Sequence, residues 1–344
     1  MRKVIRIRCI IIVAVFALVA AASVAIIFSN ADAHAFSAFT KGSGTQSDPY
    51  VISNMNQLNN LQAIAASDLA EEYTKDKYFK LDRDITTAYN VTSELNGFFG
   101  HLDGNGHTVT VLGSTGLFYR LANGASITNL TVNINIKVSR AMDYYGMVYY
   151  TESSAVIDNC TVKGTINIDF TKWKNPGKNY SLIAHFSAFC IQNNGTISNC
   201  RFEGSVLNNG LDTSGKIINI YGSVFAYTGQ GLITNCSIVG NVHLVANTYT
   251  LKFSTFSSLN MVRDCEFTGN ITISLIEPTD SYTARSFTVY ALGRYAIDST
   301  FTGDVIIDHR NHTVPTRAQH HVYIGADETC LHNGEIKEIN KKSN

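Results

Sequence analysis

One four-residue phrase recurs through this chain: Ile127-Thr-Asn129-Leu130, Ile157-Asp-Asn159-Cys160, Ile197-Ser-Asn199-Cys200, Ile233-Thr-Asn235-Cys236, Val262-Arg-Asp264-Cys265 and Ala296-Ile-Asp298-Ser299. A glycine stands four positions after the last residue of five of them, at Gly164, Gly204, Gly240, Gly269 and Gly303. Beyond each glycine runs an alternating strand such as Thr165-Ile166-Asn167-Ile168. Successive phrases are 30, 40, 36, 29 and 34 residues apart. Repetition at that period marks a solenoid, whose units bury their apolar faces only by stacking on one another.

A second phrase precedes each Asn turn, read here as Gly116-Leu-Phe-Tyr119, Gly146-Met-Val-Tyr149, Ser181-Leu-Ile-Ala184, Gly222-Ser-Val-Phe225, Lys252-Phe-Ser-Thr255 and Thr288-Val-Tyr-Ala291. Each unit therefore holds three strand-length pieces and no helix-length pattern. A leucine-rich repeat needs a helical segment per unit, and a propeller needs four strands per blade. The expected fold is all-β, a parallel β-helix, right-handed because parallel crossovers almost always are.

The regular coils are expected over residues 101–325. Residues 36–100 read as an N-terminal cap and 326–344 as a C-terminal tail. Within the cap, Met55, Leu58, Leu61 and Ile64 fall at helical spacing, with Ser53 or Asn54 as the helix cap. Such a helix closes the open end of a β-stack. Ahead of it, Arg2, Lys3, Arg6 and Arg8 precede an apolar run from Cys9 to Phe28, then Ala31-Asp-Ala33-His-Ala35. Residues 1–35 read as a secretory signal peptide cut after Ala33 or Ala35. The competing reading is an uncleaved N-terminal anchor, which would be the chain's one link to a membrane.

Without the leader, 23 Lys and Arg face 26 Asp and Glu, from 27 of each in the whole chain. There is no basic stripe, which argues against nucleic acid as a partner. The expected partner is an extracellular glycan or a protein of a host or cell surface. No cofactor and no metal are expected.

The residues also carry a resemblance. Gly42-Ser-Gly-Thr…Asp48-Pro-Tyr-Val-Ile52, Tyr78-Phe-Lys-Leu81…Asp84-Ile85 and Asp103-Gly-Asn-Gly-His107, followed by the Asn-Cys…Gly phrases, resemble bacterial surface proteins with GLUG-type repeats over residues 42 to 308. The resemblance implies a secreted β-helix of pectin-lyase-like shape, of the kind found in large adhesins or beside a metallopeptidase module. The chain lacks the His-Glu-x-x-His zinc helix of such a peptidase, so protease activity is not implied.

The column Asn129, Asn159, Asn199, Asn235, Asp264 is read as a structural ladder at a left-handed bend. Burial of its amides would make the sequons at Asn129, Asn159 and Asn235 accidental. Cys160, Cys200, Cys236 and Cys265 form the neighbouring column, with Cys190 and Cys330 outside it. A linear column cannot offer zinc a tetrahedron, and parallel in-register side chains rarely offer disulfide torsions. A stack of inward, reduced thiols remains. Asp103, Asn105 and His107 read as a turn rather than a calcium loop, which would need more acids and a final Glu.

For ligand binding, Tyr144, Tyr145, Tyr149 and Tyr150, with Trp173, Tyr180 and Tyr221, supply aromatic surface. For catalysis by a polysaccharide lyase or hydrolase, the carboxylates and bases on offer are Arg263, Arg294, Asp304, Asp308 and His309, with Asp264 and Asp298, as members of the Asn ladder, less free. His312, His320 and His321 read as an end cap or loop. A non-enzymatic binding module is the first expectation and polysaccharide cleavage the second.

Overall fold

The computed structural model describes residues 39–89, 91, 96–170, 182–210, 218–246, 250–276, 286–311, 319–325 and 328–339. The leader, Trp173, Tyr180 and His312 lie outside them, as do the side chains of His309, His320 and His321. Among the described residues no helix is long and apolar enough to cross a membrane.

Residues from Gly42 onward form one unit, and it is a parallel β-helix. Two 13-stranded sheets and one six-stranded sheet run along it, called A, B and C here. One coil runs from a strand of sheet C to a short strand of sheet A, such as Val148–Thr151. A tight turn leads to a second strand of sheet A, such as Val156–Asp158, and the Asn bend then leads to sheet B, such as Thr161–Asp169. The next coil lies in register: Ile157 pairs with Ile127 and Ile197, and Val162 with Val132 and Phe202.

Like therefore sits on like inside. Ile127, Ile157, Ile197, Ile233, Val262 and Ala296 form a fully buried column. Each such aliphatic side chain contributes about 1.5–3 kcal/mol by leaving water. Phe189 and Phe225 stack at 4.4 Å, and Phe267 and Phe301 at 4.9 Å.

The bend residues Asn129, Asn159, Asn199, Asn235, Asp264 and Asp298 all adopt a left-handed backbone, with φ between 48° and 53°. Asn and Asp tolerate that region better than other side chains. Asn159 Nδ2 donates to Asn129 Oδ1 at 2.8 Å, Asn235 to Asn199 at 2.5 Å, and Asn199 to Asp158 Oδ1 at 2.7 Å. The ladder exists, but its members are exposed rather than buried. Burial therefore does not dismiss the sequons at Asn129, Asn159 and Asn235. Asn105 also has a left-handed backbone and its N–H donates to Asp103 Oδ1 at 2.8 Å, so this segment is the expected turn.

The bend interrupts backbone pairing, and the cysteines repair it. Cys160 N–H donates to Cys200 Sγ and Cys200 N–H to Cys236 Sγ, both at 3.4 Å. The thiols in turn donate to main-chain carbonyls, Cys200 to Ile157 at 3.6 Å and Cys236 to Ile197 at 3.7 Å. Where the column holds Ser299, its Oγ takes the Cys265 N–H at 3.1 Å. Cys330, expected outside the column, belongs to it, because Thr300 pairs with Leu331. Gly334, four residues on, was the available sign. Among the described residues no two cysteines are joined by a disulfide.

The glycine four residues later has a steric cause. A Cβ on Gly240 would lie 1.6 Å from Gly204 O, and one on Gly269 1.7 Å from Gly240 O. Both residues also have positive φ, +153° and +146°. Ile134 escapes the rule on the first rung, where pairing with the strand below stops at Asn133.

At the N-terminal end, helix α1 (Met55–Ala65) buries Leu58 and Leu61 completely and is capped by Asn54, whose Oδ1 accepts the Gln57 N–H at 3.0 Å. A short helix α2 (Ala70–Thr74) follows. The expected boundaries move at both ends. Tyr50–Ile52 and Tyr78–Leu81 already pair within sheet A, and the expected tail carries strands Leu331–Asn333 and Ile336–Ile339 of sheet B. The register of the second phrase is corrected too. Val148 aligns with Cys190 and Ala226, so its true members are Ala188-Phe-Cys190, Val224-Phe-Ala226 and Thr255-Phe-Ser257, while Gly222, Lys252 and Thr288 lie on sheet C.

Substituting Gly240→Ala is expected to cost about 3 kcal/mol or more, since backbone must shift and a disfavoured φ must be held. Gly106→Ala, at φ +79° with no atom within 4 Å of the new Cβ, is expected to cost about 1–2 kcal/mol. Denaturant unfolding compares the two. Burial pushes the thiols of Cys190, Cys200 and Cys265 upward, away from the reactive thiolate. In the folded protein a maleimide is expected to label half-buried Cys330 well before these three, which react on unfolding.

Candidate functional site

Sheet C is built from Asp143–Tyr145, Leu182–Ser187, Ile218–Ser223, Thr250–Ser254, Ser286–Tyr290 and Gln319–Tyr323. Alternation along Leu182–Ser187 sends Ala184 and Phe186 inward and His185 outward. Register then fixes an outward column: Asp143, His185, Tyr221, Lys252, Thr288. On the adjoining strands of sheet A, Tyr119, Tyr149 and Tyr227 also face out, each half-buried.

The two outward sets touch. His185 lies 5.1 Å from the Tyr227 ring and Tyr221 lies 5.6 Å from it. Tyr145 meets Tyr149 edge-on at 5.8 Å. Outward side chains of the two sheets therefore pack against one another along the C–A corner, a strip called the groove here. Beneath it Ser187 and Ser223 are fully buried, and their hydroxyls donate to Phe225 O and Phe256 O at 2.8 and 2.7 Å.

Within the groove, His185 Nδ1 and Asp143 Oδ1 are 2.7 Å apart. With Nδ1–H donated to the carboxylate, Nε2 is left for a ligand. Lys252 Nζ sits over the Tyr221 ring, 5.9 Å from its centroid. Burial, then the nearby Tyr221, pushes Tyr227 up to about 12.

Ring faces here are largely taken. Tyr119 and Tyr149 stack at 4.6 Å and 14°, and His185 and Tyr221 at 5.7 Å and 23°. What the groove offers a ligand is therefore ring edges, hydroxyls, an imidazole nitrogen and an ammonium. It is built for hydrogen bonding rather than flat stacking.

Of the residues singled out in the sequence, Tyr149 and Tyr221 stand in this groove. Tyr150 is on the next outward position, its hydroxyl accepting from Asn194 Nδ2 at 3.1 Å. Tyr144 is in the core, at 2% exposure, with its hydroxyl taking the Arg140 N–H at 2.9 Å. Tyr145 is also buried. The four residues proposed for catalysis are spread over two sheets. Arg294 is on sheet A, its guanidinium 5.4 Å from the Tyr295 ring. Asp304 pairs with Lys337 at 2.6 Å, which with the Glu335 N–H holds its carboxyl below the usual range. Asp308 is buried on sheet B, in the strand Val305–Asn311 that also carries His309. Asp264 and Asp298 are themselves exposed residues of the Asn bend, and Arg263 is exposed beside it.

Asp143, His185, Tyr227 and Lys252 were missed. Sheet C lacks the Asn and Gly punctuation, and the number of residues from one of its strands to the next varies. A sign was present, however: Ser187-Ala-Phe189, Ser223-Val-Phe225 and Ser254-Thr-Phe256 align these strands and place His185, Tyr221 and Lys252 two residues before each serine.

No family model matches the chain, and no curated protein matches it. Among solved structures it is similar to a candidate immunoglobulin A1 protease from Bacteroides ovatus, at 14% identity, with 87% of each chain covered and a TM-score of 0.46.

The raised Tyr227 makes a pH prediction. Between about pH 10 and 12 the unfolded phenol loses its proton while the folded one keeps it, so the folded state binds more protons and stability falls as pH rises. Tyr227→Phe is expected to flatten that part of a denaturation-versus-pH curve.

Proposed function

We propose that this is a secreted or cell-surface β-helix protein that binds an extracellular glycan along the groove between sheets C and A. In this reading it acts as a non-enzymatic, adhesin-like or scaffold module, in keeping with the GLUG-type resemblance. A protein of a host or cell surface is the other partner the groove could take.

The observation carrying the proposal is a juxtaposition of unlike polar groups. Asp143 orients His185, Tyr221 follows on the next rung with Lys252 over its ring, and Tyr227 joins them from sheet A. Directed donors and acceptors placed side by side suit a polyhydroxylated chain. A second observation favours cleavage of the polymer instead: His185 is oriented by Asp143 as a general base would be.

The test is binding to a glycan panel by the full chain and by Tyr149→Phe, Tyr221→Phe and Tyr227→Phe, which keep the stacked rings and delete only hydroxyls. Binding is expected to fall about 5- to 10-fold for at least one, consistent with one lost hydrogen bond, with thermal stability unchanged. Unchanged binding in all three would place the site elsewhere. Reducing ends released by the wild type and lost in His185→Ala would turn the reading to catalysis.

A further inference from the structure

Resting on that groove, we infer that its ligand is an acidic polysaccharide, bound through a sugar-borne anion at Lys252.

The charges of the groove are few and their pairing decides the sign. Asp143 is engaged by His185 at 2.7 Å. Arg120, on the neighbouring strand of sheet A, is paired with Glu152 at 3.1 Å. Lys252 makes no ion pair with any described carboxylate, and its side chain is exposed. Instead its ammonium lies over Tyr221, whose ring face attracts a cation but cannot neutralise it.

Around this ammonium the other groups can donate. Tyr221 is the in-register partner of Lys252 on the adjoining rung, and the Tyr227 ring lies 5.6 Å from that of Tyr221. An unpaired ammonium over one phenol, with a second phenol beyond it, is an anion site, and hydrogen bonds to an anion are roughly twice as strong as neutral ones. The groove follows the stack over several rungs about 4.8 Å apart, so a polymer laid along it reaches Lys252 while its hydroxyls meet His185 and Tyr149. A carboxylate and a sulfate share the required chemistry.

Three probes separate the cases: dextran, which is neutral, hyaluronan, which carries carboxylates only, and dextran sulfate, which carries sulfates only. The full chain is expected to bind at least one charged polymer ten-fold or more tightly than dextran. Lys252→Gln is expected to lose that preference and Lys252→Arg to keep it. Which charged polymer wins assigns the anion. Equal binding of all three polymers, or an unchanged preference in Lys252→Gln, overturns the anion proposal while leaving glycan binding in place. Absence of binding to every polymer here and throughout the glycan panel overturns both.

Discussion

Parallel pairing of one coil on the next, in register, is the constraint from which the remaining features follow. Backbones held about 4.8 Å apart leave no room for a Cβ where the chain approaches most closely, which is why Gly204, Gly240, Gly269 and Gly303 follow one another. The same spacing puts identical side chains in van der Waals contact, so a column of one residue type packs without voids. At the Asn bend the chain leaves the ladder, and small polarizable thiols supply the hydrogen bonds that the backbone lacks there. Stability in such a molecule is a sum over neighbouring rungs rather than a single core.

The constraint also governs what the surface can do. Outward aromatics on successive rungs stack face to face, as Tyr119 and Tyr149 do, and so spend their faces on each other. A ligand meets edges and polar tips. Recognition then depends on which polar tips are placed side by side. Asp143, His185, Tyr221 and Lys252 are brought together from residues 109 positions apart in the chain.

The sequence displayed the architecture wherever stereochemistry forces a residue type. Asn129 and its successors need a left-handed backbone, and the glycines need the space, so both are visible as phrases. Helix α1 was legible through Leu58, Leu61 and Ile64, though α2, only five residues long, was not. Sheet C was misregistered because its outward positions obey no steric rule, and the groove was hidden with it. Two errors came from treating columns as more uniform than they are. Cys330, expected outside the column, belongs to it, with Gly334 following at the usual spacing, and the amides of the Asn ladder, expected inside, line the outside of the bend.

Distance along the stack gives the most direct test of one rung per phrase. Lys163 pairs in turn with Glu203, Val239, Thr268, Thr302 and Asn333, which places Thr302 four rungs and Asn333 five rungs away. Spin labels at exposed Lys163 and Thr302 should lie roughly 19 Å apart, and labels at Lys163 and Asn333 roughly 24 Å, an increase of one strand spacing. Electron–electron dipolar spectroscopy on the two doubly labelled proteins measures both. Narrow distributions separated by about 5 Å agree with in-register coils. Distances far longer than these, or no increment between the pairs, would contradict the stacked-rung account.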